Sequence, residues 1–221
     1  PAESFPGYLA PIVVKSHRSG RLAAGLARFG LIPAWAKDPK IGRHTYNART
    51  ETVADKPSYR SAWRKRQFGL VPVDHFFEPS YATLKAVPWK IGLTSGDPFC
   101  LACLWDRWNE PDTGQSVVSF SLLTINADHH PVMRQFHRSG DEKRTPVVIP
   151  PERYIDWLSA DFNSTKGAVA VHYEYGLDDV PTPVRFAVRD LAKMYAVPSI
   201  VPERATSLNT DTGSYRLTLA G

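Results

Sequence analysis

The sequence predicts an α+β fold: a mixed, mostly antiparallel sheet with a few flanking helices, in one domain over residues 1–221. Three observations support this. The chain is 43% hydrophobic and 22% charged, as in soluble globular proteins large enough to bury a core. Its 19 prolines are scattered and cut it into short segments, which disfavours a helical bundle. The central third is rich in strand-like segments.

The first part of the chain predicts short strands and turns. Residues 11–14 form a short apolar run, and residues 16–21 have the composition of a turn. Residues 22–29 fit either a strand or a short helix. Pro33 interrupts the apolar segment 30–35, so we expect this segment to be irregular and packed.

Residues 56–66 carry the strongest helical signal. Pro57 suits the first turn of a helix. Tyr59, Ala62 and Trp63 recur at helical spacing and form an apolar stripe. The outer face of this predicted helix is basic, with Arg60, Arg64, Lys65 and Arg66.

The strand-rich block follows. Strand-like composition occurs in residues 68–73, 88–93, 99–105, 117–125, 145–149 and, more weakly, 184–188. Val118, Phe120 and Leu122 alternate with serines, a half-buried strand pattern. Two more helices are expected, a short one within 126–136 capped by Asn126 and one over 151–160.

Charge and composition indicate which class of molecule the protein binds. The net charge is +5 and the isoelectric point about 9.2, which favours polyanionic partners, nucleic acid before membrane. No apolar run is long enough to span a membrane, and no secretory signal opens the chain. We therefore expect a cytoplasmic protein that is nucleoid-associated when bound to DNA.

The histidines and cysteines do not have the spacing of a metal site. Cys100 and Cys103 would point to opposite faces of a strand, so they can share neither a metal nor a disulfide. His129 and His130 are adjacent and would also point apart. We expect no metal and no other cofactor. His137 is a candidate general acid or base, since an unperturbed imidazole titrates near neutrality.

Three polar residues are candidates for chemistry. The segment 44–52 contains Asn47 and Arg49, which could orient a substrate and bind a phosphate, although a plain surface loop is the alternative. Asp106 ends an apolar strand, where it could either act chemically or simply meet water. An exposed tryptophan beside basic residues could stack on single-stranded bases.

Six segments in order resemble one family, the SOS-response-associated peptidase (SRAP) domain, over about residues 6–160. The segments are 29–35 (FGLIPAW), 47–52 (NARTET), 70–78 (LVPVDHFFE), 103–106 (CLWD), 123–127 (LTINA) and 144–149 (RTPVVI). The chain resembles a divergent phage-like or bacterial member. This resemblance implies a curved, barrel-like sheet that binds single-stranded DNA and covalently captures abasic sites. In the family an N-terminal cysteine forms an imine through its amine and closes a thiazolidine with its thiol. Members also remove the residue before that cysteine.

The resemblance also implies roles for individual residues. Asn47 would orient the cysteine or the sugar, Asp106 would stand at a proton-handling glutamate, and His137 would be the acid or base. DNA contacts are expected from Arg49, Trp35, Arg60, Arg64 and Arg144. Imine formation and ring closure both move protons at one carbon, so we expect Asn47, Asp106 and His137 to line one cleft.

Three departures from the family pattern shape these expectations. The N-terminal Cys-Gly-Arg is absent from the sequence, Asp106 is one methylene shorter than glutamate, and residues 138–143 are inserted before Arg144. Either preceding sequence supplies the cysteine or the chain is a diverged member that only binds DNA. The alternatives to abasic-site capture are therefore a non-catalytic single-stranded DNA-binding module and an unrelated hydrolase using Asp106 and His137.

Overall fold

A computed structural model describes residues 3–17, 19–82, 85–93, 95–159, 200–204 and 217–219. The described strands are β1 Glu3–Ser4, β2 Leu9–Lys15, β3 Leu22–Phe29, β4 Asn47–Arg49, β5 Phe68–Ser80, β6 Val87–Leu93, β7 Phe99–Asn109, β8 Ser116–Asn126, β9 Arg144–Pro146, β10 Val148–Ile149, β11 Ile200–Arg204 and β12 Leu217–Leu219. The described α-helices are α1 Arg60–Arg64 and α2 Tyr154–Ser159. Short 3₁₀ helices cover Pro39–His44, Met133–Gln135 and Pro151–Arg153.

Five strands close into a barrel. The ring runs β2–β3–β8–β7–β5 and returns to β2. Within it only β3 and β8 pair in parallel, and β4 adds a second parallel partner for β8. The predicted mixed, mostly antiparallel, barrel-like sheet with few helices is confirmed.

Strand alternation separates the inside of the barrel from its outside. Ala10 and Phe29 point inward and are fully buried. Leu9 and Leu26 point outward on the same two strands and are more than half exposed. The ring of Phe29 stacks on that of Phe120 at 5.0 Å, which joins β3 to β8 through the interior.

Both helices and one irregular segment cover the outside of β5, β7 and β8. Trp63 of α1 and Trp157 of α2 pack against Phe68, with ring centroids 5.4 and 5.0 Å away. Next to them, the segment 31–36 lies over the end of β7, where the indole of Trp108 donates a 2.7 Å hydrogen bond to the carbonyl of Ala36. This irregular, packed conformation is the one expected for a proline-interrupted segment.

Several predicted elements have different bounds in the structure. The helix expected over 56–66 is reduced to α1, because the residues before it form turns stabilised by their own backbone hydrogen bonds. The strand expected over 68–73 continues to Ser80 as β5. Asn126 does not cap a helix; its side-chain oxygen accepts from the amide of Asp128 in a tight turn. The strand expected over 184–188 lies outside the described residues.

None of the helices in the described part of the chain has the length and apolar character needed to cross a membrane.

Candidate active site at one end of the barrel

A buried carboxylate and an imidazole meet where β5 ends. Glu78 is only 2% exposed, and its Oε2 lies 3.6 Å from Nε2 of His137. The backbone amide of His137 donates to the carbonyl of Pro79, and its ring nitrogen bonds the carbonyl of Arg144 at 2.9 Å. These contacts fix the imidazole against β5. The insertion 138–143 therefore does not displace the His137 imidazole from β5.

Burial, the largest effect at this histidine, lowers the pKa of His137, while its hydrogen bond to the Arg144 carbonyl opposes the shift. His137 therefore favours the neutral form near pH 7, in which an imidazole can accept a proton. Its backbone has a positive φ of 62°, a conformation that side chains other than glycine adopt rarely. The strained conformation and the two hydrogen bonds indicate that the fold holds this side chain in place.

Tyr46 and Asn47 are further candidates for this site, since the charge of Glu78 acts on Tyr46. Burial, together with the nearby charge of Glu78, raises the pKa of Tyr46, so its hydroxyl remains protonated and able to donate. Asn47 begins β4 and lies beside Leu122, whose side chain is buried inside the barrel. The side-chain oxygen of Asn47 is buried and accepts no hydrogen bond from the described residues. Glu78 thus lies against His137, and its charge also acts on Tyr46, the residue before Asn47.

The structure does not bring Asp106 to this site, so the expected convergence of Asn47, Asp106 and His137 is wrong for Asp106. Asn47 pairs with Leu122, whereas Asp106 pairs with Ser119. Residues three apart on one strand point to opposite faces. Asn47 therefore faces the barrel interior, and Asp106 faces outward. There it is buried under the segment 31–36, whose Ile32 amide bonds the Ser119 hydroxyl.

An ion network extends from this end of the barrel. Arg144 holds both oxygens of Glu51, at 2.6 and 2.8 Å, and one oxygen of Glu142 at 2.7 Å. It also donates to the carbonyl of Thr124. Although burial alone would lower it, the pKa of Arg144 is raised because the two carboxylates stabilise its charge. The side chain is only 9% exposed, so this arrangement does not fit the DNA contact expected for Arg144.

We expect Arg144→Ala to destabilise the fold by about 3 kcal/mol, because it leaves the partly buried Glu51 carboxylate without its cation. Urea unfolding monitored by tryptophan fluorescence measures the change. Arg144→Lys keeps the charge but loses the bidentate geometry, so its stability should lie between the two. The exposed Arg64→Ala is the matched control and should be neutral. A loss below 1 kcal/mol for Arg144→Ala would show that the network is not structural.

The other residues expected to contact DNA lie at the surface. Trp35 is 56% exposed, with its indole nitrogen bonded to the carbonyl of Pro57. Arg60 and Arg64 are both exposed on α1. The side chain of Arg49 is 58% exposed, yet it is ion-paired to Glu142 at 2.7 Å. Together these residues provide three exposed guanidinium groups and one exposed aromatic ring.

The cysteines have no reactive environment here. Cys100 and Cys103 are both buried, and burial raises the pKa of each thiol. Neither is therefore a ready nucleophile. Within the described ranges, no three His, Cys, Asp or Glu side chains are grouped as metal ligands.

Sequence reasoning missed Glu78 as a site residue. It lies in the segment 70–78 that carries the family resemblance, but it was not among the candidate residues. Its spacing gave a usable signal: it lies two residues after Phe76, so an extended strand places both side chains on one buried face. A carboxylate on such a face needs polar neighbours, and the imidazole of His137 is one that the structure shows.

Comparisons with known proteins identify the family and relatives that this chain resembles. The family model for the SOS response associated peptidase (SRAP) matches residues 3–188. The abasic site processing protein YoqW of Bacillus subtilis is 32% identical over 157 residues, 71% of this chain and 66% of that protein. The abasic site processing protein HMCES of Xenopus tropicalis is 26% identical and matches over 68% of this chain and 49% of its own length. The chain thus spans just under two thirds of the first of these relatives and about half of the second.

Solved structures share the fold. A crystal structure of a protein from Bordetella bronchiseptica superposes with a TM-score of 0.72 at 29% identity, covering 94% of this chain and 88% of that one. A protein from Bacteroides thetaiotaomicron, at 24% identity and a TM-score of 0.60, covers 74% of this chain and 67% of that one. The second similarity concerns the fold alone.

Proposed function

Because the chain belongs to the SOS response associated peptidase (SRAP) family, we propose that it processes abasic sites in DNA. In this proposal it binds single-stranded DNA and captures the ring-opened sugar covalently through an N-terminal cysteine. The same site would release the residue that precedes the cysteine, as an autopeptidase. The compartment proposed is the cytoplasm, with the protein on the nucleoid when bound to DNA.

The buried oxygen of Asn47 is the observation that carries this proposal. A buried amide oxygen without a hydrogen bond costs free energy, so native structures rarely keep one without a reason. An incoming amine or sugar hydroxyl would supply the donor. Asn47 is therefore a substrate-orienting residue in a site that also contains a carboxylate and an imidazole.

Glu78 and His137 supply the proton transfers that the chemistry requires. Condensation of the cysteine amine with the aldehyde forms a C–N bond and releases one water, which needs an acid for the leaving oxygen. Attack of the thiol on the imine carbon then forms a C–S bond, and the thiol proton passes to nitrogen. We assign these steps to Glu78, with His137 as its partner, in place of Asp106.

Exposed basic and aromatic side chains suit a flexible polyanion. Arg49, Arg60 and Arg64 can bind phosphates, and the exposed ring of Trp35 can stack on an unpaired base. The net charge of +5 acts in the same direction. Binding should weaken as salt rises, because phosphate contacts release counterions.

The test uses the natural full-length protein and single-stranded DNA with one abasic site. We expect intact mass spectrometry to show an adduct equal to protein plus DNA less one water. The same oligonucleotide with an undamaged base is the control and should give no adduct. Salt-sensitive DNA binding without an adduct would instead establish the non-covalent binding module. Neither adduct nor binding would refute the proposal.

A further inference from the structure

The carboxylate of Glu142 lies in a pocket of donors beside the candidate site. Arg49 approaches one of its oxygens at 2.7 Å. Arg144 and the side-chain amide of Asn126 approach the other at 2.7 and 3.2 Å. Two guanidinium groups and an amide thus surround one anion, on three separate strands whose register the barrel fixes.

The donors differ in how firmly they are held. Arg144 is almost buried and also bonds Glu51 and the Thr124 carbonyl, so its side chain is held in a fixed position. Asn126 is anchored by Asp128, which accepts from its amide at 2.8 Å. Arg49 has only Glu142 as an ion-pair partner among the described residues, and its side chain is 58% exposed. Arg49 is therefore the part of this pocket that solvent and a ligand can reach.

A DNA phosphate presents oxygens to a guanidinium in the same way as a carboxylate. We propose that Glu142 is an internal competitor: it occupies this oxyanion pocket in the free protein and gives up Arg49 to a phosphate of single-stranded DNA. This inference rests on the proposed function and adds a residue that sets how strongly the site holds DNA. Because Glu142 lies in the segment 138–143, the insertion after His137 is the source of the competitor.

The exchange is energetically accessible. A half-exposed ion pair contributes little net free energy, so breaking the Arg49–Glu142 pair costs only a modest part of the binding energy. Arg144 retains the bidentate contact with Glu51 when Glu142 leaves. The fold can therefore release Glu142 without unfolding this end of the barrel.

The test measures equilibrium binding of fluorescent, undamaged single-stranded DNA to the full-length protein over a range of salt. We expect Glu142→Gln to bind about three- to fivefold more tightly, as follows from losing a competing surface pair. Its affinity should also fall more steeply with salt, because the wild-type carboxylate recruits a cation when displaced and offsets part of the counterion release. Glu142→Asp, which keeps the charge but shortens the reach, should give a smaller gain.

Asp141→Asn is the matched control. It also removes one negative charge, from an exposed side chain that directly precedes Glu142 in the sequence. Equal tightening by Asp141→Asn and Glu142→Gln would overturn the inference in favour of general electrostatics. In an Arg49→Ala background the gain from Glu142→Gln should disappear, and its persistence would also overturn the inference. DNA binding with unchanged affinity in Glu142→Gln would refute this inference alone. No DNA binding by any form would refute the proposed function as well.

Discussion

Glu78→Gln should reduce the rate of adduct formation with abasic single-stranded DNA by at least about 100-fold. The amide has the shape of the carboxylate but cannot exchange a proton with the leaving oxygen or the incoming amine. Affinity for undamaged single-stranded DNA should stay within about twofold, because Glu78 is buried and cannot contact phosphates directly. Gel-based crosslinking time courses give the rate, and fluorescence anisotropy gives the affinity.

Asp106→Asn is the matched control for this experiment. Asp106 is also a buried acid, but it faces the outside of the barrel, where its carboxylate accepts from the amide of Arg107. Its replacement should leave the crosslinking rate unchanged. A fast Glu78→Gln and a slow Asp106→Asn would return the proton-handling role to Asp106. Thermal unfolding of both variants separates lost chemistry from lost structure.

Gly30→Ala should destabilise the protein by about 4 kcal/mol or more, from positive-φ strain and a backbone clash together. Gly30 follows β3 with a φ of +111°, and a Cβ there would lie 2.3 Å from the carbonyl oxygen of Gly42. Since the clash is with backbone atoms of Gly42, it can be relieved only by shifting the 3₁₀ helix Pro39–His44. This turn also positions the segment that leads to Tyr46 and Asn47. Urea unfolding measures the loss.

Gly25→Ala within β3, the strand that Gly30 follows, tests whether the effect is specific. A Cβ at Gly25 would meet no atom within 4 Å, and its φ is not positive. It should be neutral or slightly stabilising, since alanine reduces the freedom of the unfolded chain. Equal losses at both glycines would show that β3 tolerates no side chain there, and that the close approach of Gly30 to Gly42 is not the cause.

Local pattern was a good guide to the strands and a poorer one to the helices. The alternation in 117–125 depends only on which side chains face inward, and β8 spans Ser116–Asn126 as a result. The helical spacing of Tyr59, Ala62 and Trp63 is genuine, but α1 covers only Arg60–Arg64. A periodic apolar stripe shows which side chains pack against the core. It does not determine the length of the helix, because turns can also provide backbone hydrogen bonds.

The residues of the candidate site could likewise be predicted from the sequence only in part. Asn47 and His137 could be named from residue type and family resemblance. The structure places His137 against Glu78 and pairs Asn47 with Leu122 of β8. The choice between Asp106 and Glu78 could not be made this way, since each is an acid in an apolar strand. Only the pairing of β8 with both β4 and β7 shows that Asp106 faces away from Asn47.

By itself, then, the sequence determined the family, the mixed sheet and the chemical groups available to the site. These depend on residue type and on a periodicity of two, which neighbouring residues define locally. The tertiary structure alone decided that β3 pairs in parallel with β8 to close the barrel, that Glu78 lies against His137, and that Glu142 forms an ion pair with Arg49. Each of these joins residues far apart in the chain. Strand register sets which of them meet, and register is fixed by packing of the whole barrel interior.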